Sequence, residues 1–392
     1  MNRICNTVLL TAFVALLSAG PAFTQTPSPE GTKTAPAPVA YVYLQTSKGV
    51  DGFAASVDGK LELVKGSPFK TTGAMAAGNG SHFITLGKDL VHSYAVEANG
   101  AIGKQVSEIN TQDYKGSECG DNTGSQAVLD HTGRNLYVQL DANVGCAAIQ
   151  TYNVAKGSGA LTFRGATPAY DTSSTGITLT ITGNDALGYA LTDTPSSLLG
   201  YKRESEGTLE AIQFHQVDPT SVTGPFWPLS VASAPNNLVA IVCGGGNEGG
   251  FQGAQLASYV VDGEGNITSK NTWENMPYVT SDCGTNYPGV MDMSPSGKLL
   301  AVINYDYESG YRGPWGLSIF HFNGADPVTP FGAALDPSEG FFGMSWDNNN
   351  HLYALSGLGL HVYSITPAAI TEAPGSPYSI DNLEGGLVVV AK

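Results

Sequence analysis

Apolar and polar positions alternate along this chain in short runs, and the runs recur. A turn of small residues followed by an apolar strand begins at Ala40, His82, Asn135, Leu187, Asn237, Lys298 and His351. A second strand follows each, marked at equivalent places by Ala55, Tyr94, Tyr152, Tyr201, Tyr259, Phe320 and Tyr363. These seven anchors lie 39 to 61 residues apart, a mean of about 51. Each second strand then runs into a turn and a third strand. Asp58-Gly59, Asn99-Gly100, Glu206-Gly207 and Asn323-Gly324 supply the positive φ angles that two-residue hairpins demand. An inner strand precedes most units, as Gly289–Met293 does before the turn Ser294–Gly297.

Four antiparallel strands repeated seven times is the plan of an all-β, seven-bladed β-propeller. The chain ends support it. The first unit lacks an inner strand before Ala40, and the chain finishes with a spare one, Gly386–Ala391. Seating that C-terminal strand inside the first blade closes the ring and removes two exposed sheet edges. A pair of β-sandwiches, or a ring of six or eight blades, fits the regular sevenfold repeat less well. Neither a helical period nor a strand–helix alternation is visible after the first residues.

Those first residues read as a processing signal. Met1-Asn2-Arg3 is a short positive start, Val8–Leu17 is almost wholly apolar, and small residues follow at 18–22. The run is shorter than the roughly 20 residues a membrane span needs, so residues 1–22 are expected to be a cleaved signal peptide. Cleavage after Ala22 or Thr24 removes Arg3 and takes the formal charge from −16 to −17. Residues 23–39, rich in Pro, Thr and Ala, are expected to be a flexible leader, and residues 40–392 the propeller. A periplasmic or extracellular protein with no span after signal removal follows. Export also changes how the cysteines read. Cys5 leaves with the signal, and Cys119, Cys146, Cys243 and Cys283 remain in an oxidising compartment. Three pairings are open to four cysteines. Cys119 with Cys146 and Cys243 with Cys283 would each staple a long loop that has little core of its own.

Composition narrows the partners. Hydrophobic residues at 42% exclude disorder, and 34 acidic against 18 basic residues argue against nucleic acid or an anionic membrane. The 49 Gly and 22 Pro suit tight turns without reaching low complexity.

Asp58–Phe69 and Ile370–Tyr378 both end in Gly-Ser-Pro-aromatic, and Gly159–Pro168 is a weaker copy. These blade endings resemble those of the lactonase-like seven-bladed propellers, the group that includes bacterial 6-phosphogluconolactonases and YVTN-type repeat proteins. The resemblance covers roughly residues 40 to 392. It implies the fold, and it implies either hydrolysis of a sugar lactone or a non-catalytic role, since this architecture hosts unrelated activities. Arg and His residues at blade entrances would accompany lactonase chemistry. At those places this chain has Gly73–Met75, Gly124–Gln126, Pro228–Ser230, Pro288–Val290 and Gly340–Gly343, so no catalytic residue is carried over. The seven histidines are scattered through strands and short turns, with only His215 near a long loop. A signal peptide further disfavours 6-phosphogluconolactone, a cytoplasmic sugar metabolite.

The expected site is therefore a binding site. Turns inside the blades on one face are short, whereas Ser107–Ser125, His215–Pro228, Gly244–Gln255, Glu274–Pro288 and Tyr305–Trp315 on the other are long. Long loops on a rigid scaffold usually carry recognition. Aromatic residues collect there, and Trp227, Tyr287, Tyr305 and Trp315 are expected to border a funnel for a small polar or carbohydrate ligand, or for a protein partner. Packing of the loops onto the ring is the competing role for each aromatic. No cofactor is expected. Asp306 and Glu308 could contribute to a calcium site, although an EF-hand loop is absent. Asn266-Ile267-Thr268 matches a glycosylation acceptor, and no nucleophile-elbow, zinc-protease or phosphate-loop motif is present.

Overall fold

A computed structural model describes residues 37–111, 123–141, 148–168, 179–193, 196–216, 226–234, 237–244, 253–270, 278–279, 291–304, 316–336 and 340–392. These form seven antiparallel sheets, each with a four-strand path, and no α-helix occurs among the described residues. The sheets are the blades of a seven-bladed propeller, numbered here from the N-terminal end. Blade 5 carries one addition, Tyr278–Val279, which pairs with its third strand at Ala254 and Gln255.

Blade 1 closes the ring as the spare strand requires. Leu383–Ala391 pairs antiparallel with Ala40–Thr46, from Ala40 opposite Ala391 to Leu44 opposite Leu387, before a bulge shifts the register. The N–H of Lys392 extends the ladder to the carbonyl of Val39 at 2.9 Å.

Strands with apolar residues on both faces are buried on both faces, and here each sheet packs against its two neighbours. Seven apolar clusters result, one between each pair of blades. Six of the anchors lie in these cores with at most 4% exposure, while Tyr259 is partly buried against the core between blades 4 and 5. Tyrosines in the second strands latch one blade to the next. Tyr43, Tyr137 and Tyr189 each donate a 2.8 Å hydrogen bond to the carbonyl of a glycine in the following blade's outer turn: Gly100, Gly207 and Gly265. Burial pushes all three phenols above their ordinary range, so they remain neutral donors.

Those outer turns differ from the two-residue hairpins the sequence predicts. In blade 1 the Gly59 N–H reaches the Ser56 carbonyl and the Ser56 N–H reaches the Lys60 carbonyl, each at 2.9 Å. Only the glycine has a positive φ, +80°. This is a three-residue loop, a type I turn followed by a left-handed glycine. The same pattern holds at Glu97–Ala101 and Glu204–Thr208. The residue before the glycine keeps a negative φ because its side chain works locally: Asn99 Oδ1 accepts the Ala101 N–H at 3.1 Å.

The Gly-Ser-Pro-aromatic endings form a matched pair of clips in blades 1 and 7. Ser67 Oγ accepts the Gly52 N–H at 2.8 Å, and Ser376 Oγ accepts the Val362 N–H at 2.9 Å. Cis prolines follow both serines. Phe69 then exchanges backbone hydrogen bonds with Val50, and Tyr378 does the same with Leu360. The weaker copy makes no such clip. Its strand, Leu161–Pro168, runs on in the blade 3 ladder to pair Pro168 with Ala148.

Candidate functional site

The first strand of every blade borders the central channel, running from the face of the blade-to-blade connections to the face of the short turns. Two cavities lie along that channel, and Gln126 and Met344 line both. The upper chamber, about 580 Å³, is built where the inner strands of blades 7, 1, 2 and 3 begin. Its walls include Met75, Phe342, Gln126, the exposed carboxylate of Glu384 and the backbone of Gly385 and Gly386. The two glycines have positive φ, which tilts the strand start and leaves backbone rather than side chain toward the space. Beside it Gln45, opposite Gly385 in the ladder, keeps a buried Oε1 that has no hydrogen-bond partner among the described residues.

The lower chamber, about 310 Å³, lies toward the short turns and is lined from blades 3 to 7. Its polar groups are Gln126, His131, Thr180, Ser230, Ser233 and Asp292. Thr180 and Ser233 join blades 4 and 5 through a 2.8 Å contact between their hydroxyls, and Ser233 donates to the Ile181 carbonyl at 2.6 Å. His131 places Nδ1 2.9 Å from Asp185 Oδ1 of blade 4 and leaves half of its side chain exposed.

Asp292 is the group the sequence reading missed. Met291 and Met293 enter the core between blades 5 and 6, so strand alternation turns Asp292 to the opposite face of the sheet, toward blade 7. There Trp346 Nε1 donates to its main-chain carbonyl at 3.3 Å. Desolvation raises its carboxyl to about 7, against a smaller lowering by the Met293 N–H, and no described side chain pairs with it. The available signal was a lone acid flanked by two methionines in an inner strand.

The funnel expected from the aromatics is only partly within the described residues. Trp227 does not sit in a loop. It pairs with Cys243 in the blade 5 ladder, Trp227 belonging to the first strand, Phe226–Ala234, and Cys243 to the second, Asn237–Gly244. That puts Trp227 at the channel border on the long-loop face. Tyr287, Tyr305, Trp315, Cys119, Cys146, Cys283, Asp306 and Glu308 lie outside the described residues, as do residues 1–36. His215 closes the outer strand of blade 4, opposite Leu198, and burial lowers its imidazole. No described group of three or more His, Cys, Asp or Glu is arranged to hold a metal ion, and no described helix is long and apolar enough to cross a membrane. The blade entrances do converge: Met75, Gln126, Ser230 and Phe342 all line the channel, the places where the lactonase resemblance would put Arg and His.

No protein-family model and no curated protein matches this sequence. Solved structures do. A 6-phosphogluconolactonase-like protein from Bacteroides uniformis is 14% identical, aligned over 90% of this chain and 99% of its own, with a TM-score of 0.59. A functionally unknown protein from Desulfotomaculum acetoxidans is 13% identical over 90% and 99%, with a TM-score of 0.51. A second 6-phosphogluconolactonase-like protein, from Bacteroides fragilis, is 17% identical over 76% and 82%, at 0.49. At such identities the likeness is one of architecture, and this chain has the seven-bladed fold of the lactonase-like propellers.

Proposed function

We propose that this chain is an exported binding propeller that takes a small polar or carbohydrate ligand into the upper chamber from the long-loop face and does no chemistry on it. The observation that carries this reading is the composition of the blade entrances. A chamber of about 580 Å³ lies within the usual range of ligand pockets. Met75 and Phe342 supply soft apolar walls, while Gln126 offers two donors and an acceptor. At the blade entrances a thioether, a phenyl ring and an amide can hold a polar ligand without shuttling a proton at neutral pH, and the one carboxyl in the described lining, Glu384, is solvent-exposed. Trp227 heads the first strand of blade 5 on the long-loop face, and in this reading it joins Tyr287, Tyr305 and Trp315 in bordering the mouth. The signal peptide read from residues 1–22 places the work outside the cytoplasm, with the pairs Cys119–Cys146 and Cys243–Cys283 stapling the loops. A protein partner on the same loops is the variant of this reading in which the propeller acts as a scaffold.

A second reading, hydrolysis of a sugar lactone or related cyclic ester, draws on one observation: Asp292 is a channel carboxyl poised near neutrality, where a general base works best. A panel of sugar lactones, assayed with and without calcium alongside calorimetric binding, separates the two. The binding reading expects no turnover above buffer, and it expects affinity for any sugar that binds to fall about tenfold or more in Gln126→Leu and Trp227→Ala. Turnover that disappears in Asp292→Asn would establish the hydrolase instead.

A further inference from the structure

We infer that the lower chamber is a second binding site, distinct from the upper one, for a small ligand carrying a primary ammonium beside hydroxyl groups, with Asp292 as its ionic anchor. The chamber, about 310 Å³, is large enough for a sugar-sized molecule. Its walls divide by chemistry. Met291, Met293, Val231 and Ile181 are buried and apolar, so they add contact area but no hydrogen bonds. Thr180 and Ser230 bring hydroxyls into the lining from blades 4 and 5. Asp292 brings the one carboxylate in the described lining, from blade 6.

Asp292 is half-buried in the chamber wall, and a carboxylate drawn away from bulk water is normally paired, because desolvation without a partner is costly. The elements packed around Asp292 do not pair it. The neighbouring second strand of blade 6 places Ala301 opposite it, and blade 7 contributes Met344 and the Trp346 indole, which is spent on the main-chain carbonyl. The only other titratable group in the described lining is His131, which is engaged by Asp185 across the blade 3–4 boundary. A cationic ligand would supply the missing partner, and a charge-assisted hydrogen bond is the strong kind. Anions and neutral polyols would gain nothing from this carboxylate that water does not already give.

Because burial holds the free carboxyl at about 7, ligand binding is coupled to its ionisation. A cation binds the ionised form, whose share rises roughly tenfold between pH 6 and pH 8, while an alkylammonium stays charged throughout. The sign for stability is opposite. The folded value lies above the unfolded one, so the empty chamber favours folding below about pH 4 and loses that advantage as pH rises through about 7.

The full-length mature protein, titrated calorimetrically with 1-amino-1-deoxysorbitol and with sorbitol, tests the site. The amine should bind, about tenfold tighter at pH 8 than at pH 6, and sorbitol of the same length should bind far more weakly. Asp292→Asn should abolish the preference for the amine. The same variant should raise the melting temperature at pH 8 more than at pH 4, which shows that it folds and that the charge was a burden. Equal binding of amine and sorbitol, unchanged amine binding in Asp292→Asn, or no amine binding at millimolar concentration would each overturn the inference. None of these outcomes bears on the upper chamber, whose test uses Gln126 and Trp227.

Discussion

The seam between blades 7 and 1 and the wall of the central channel are built from the same strands, yet they answer to different demands. At the seam every device is doubled. The C-terminal strand pairs along Ala40–Thr46, an apolar core joins Leu355 and Val362 of blade 7 to Val42 and Leu44 of blade 1, and the Tyr378 hydroxyl bridges the blades. That hydroxyl donates to the Pro374 carbonyl at 2.7 Å and accepts the Leu61 N–H at 2.9 Å. Along the channel the groups are single. One Gln, one Asp, one Glu and a few hydroxyls interrupt inner strands whose other described lining residues are apolar or backbone. Redundancy marks where the fold is held, and isolated polar residues mark where something else is served.

The most disruptive way to test that contrast is to remove the seam's inner strand. Deletion of residues 386–392 strips the ladder partner of Ala40–Leu44 and exposes an edge within the ring. The expected outcome is aggregation or loss of a single cooperative transition in circular dichroism melting. A truncated protein that melted like the full chain would mean the ring does not depend on this closure.

A smaller but sharper effect is expected at one glycine. Gly359 has a φ of +138°, and a Cβ there would stand 2.1 Å from the Tyr378 carbonyl oxygen, inside the blade 7 clip. Backbone faces backbone, so neither side can yield by changing rotamer. Gly359→Ala should cost about 3 kcal/mol or more in urea unfolding. Gly357→Ala, two residues away with nothing within 4 Å, should stay within about 0.5 kcal/mol. Equal effects would show that the clip tolerates rearrangement.

The same contrast explains what could be read from the sequence. Blade number, ring closure and the Gly-Ser-Pro-aromatic clip are repeated or paired features, and repetition is visible in a single chain. The anchors from Ala55 to Tyr363 recur because every blade must bury the same sheet face. Asp292 was not legible for the same reason. Nothing in the other blades echoes it, and its meaning depends on which way Met291 and Met293 turn. Trp227 fell within the expected loop His215–Pro228, whereas the strand starts at Phe226 and accommodates Pro228 at a register shift, where the ladder skips from Pro228 to Ser230. The turn class was misread because Asp-Gly and Asn-Gly serve both two- and three-residue hairpins, and only the hydrogen bonds separate them.

The finest test sets one atom at the seam against one side chain in the channel. Tyr378→Phe keeps the ring and removes only the hydroxyl, leaving the Leu61 N–H and the Pro374 carbonyl without that partner. The Pro374 bond is exposed and the Leu61 bond part-buried, so water replaces some of what is lost and the cost should be about 1 kcal/mol. Met344→Leu, in the wall shared by the two chambers, conserves volume and breaks no hydrogen bond, so it should cost less than about 1.5 kcal/mol and leave Tyr378→Phe additive with it. Denaturant midpoints of the two single variants and the double variant measure both expectations. Coupling between them beyond about 0.5 kcal/mol would mean that the channel wall is part of the closure after all, and that seam and channel are not separate in energy as they are in design.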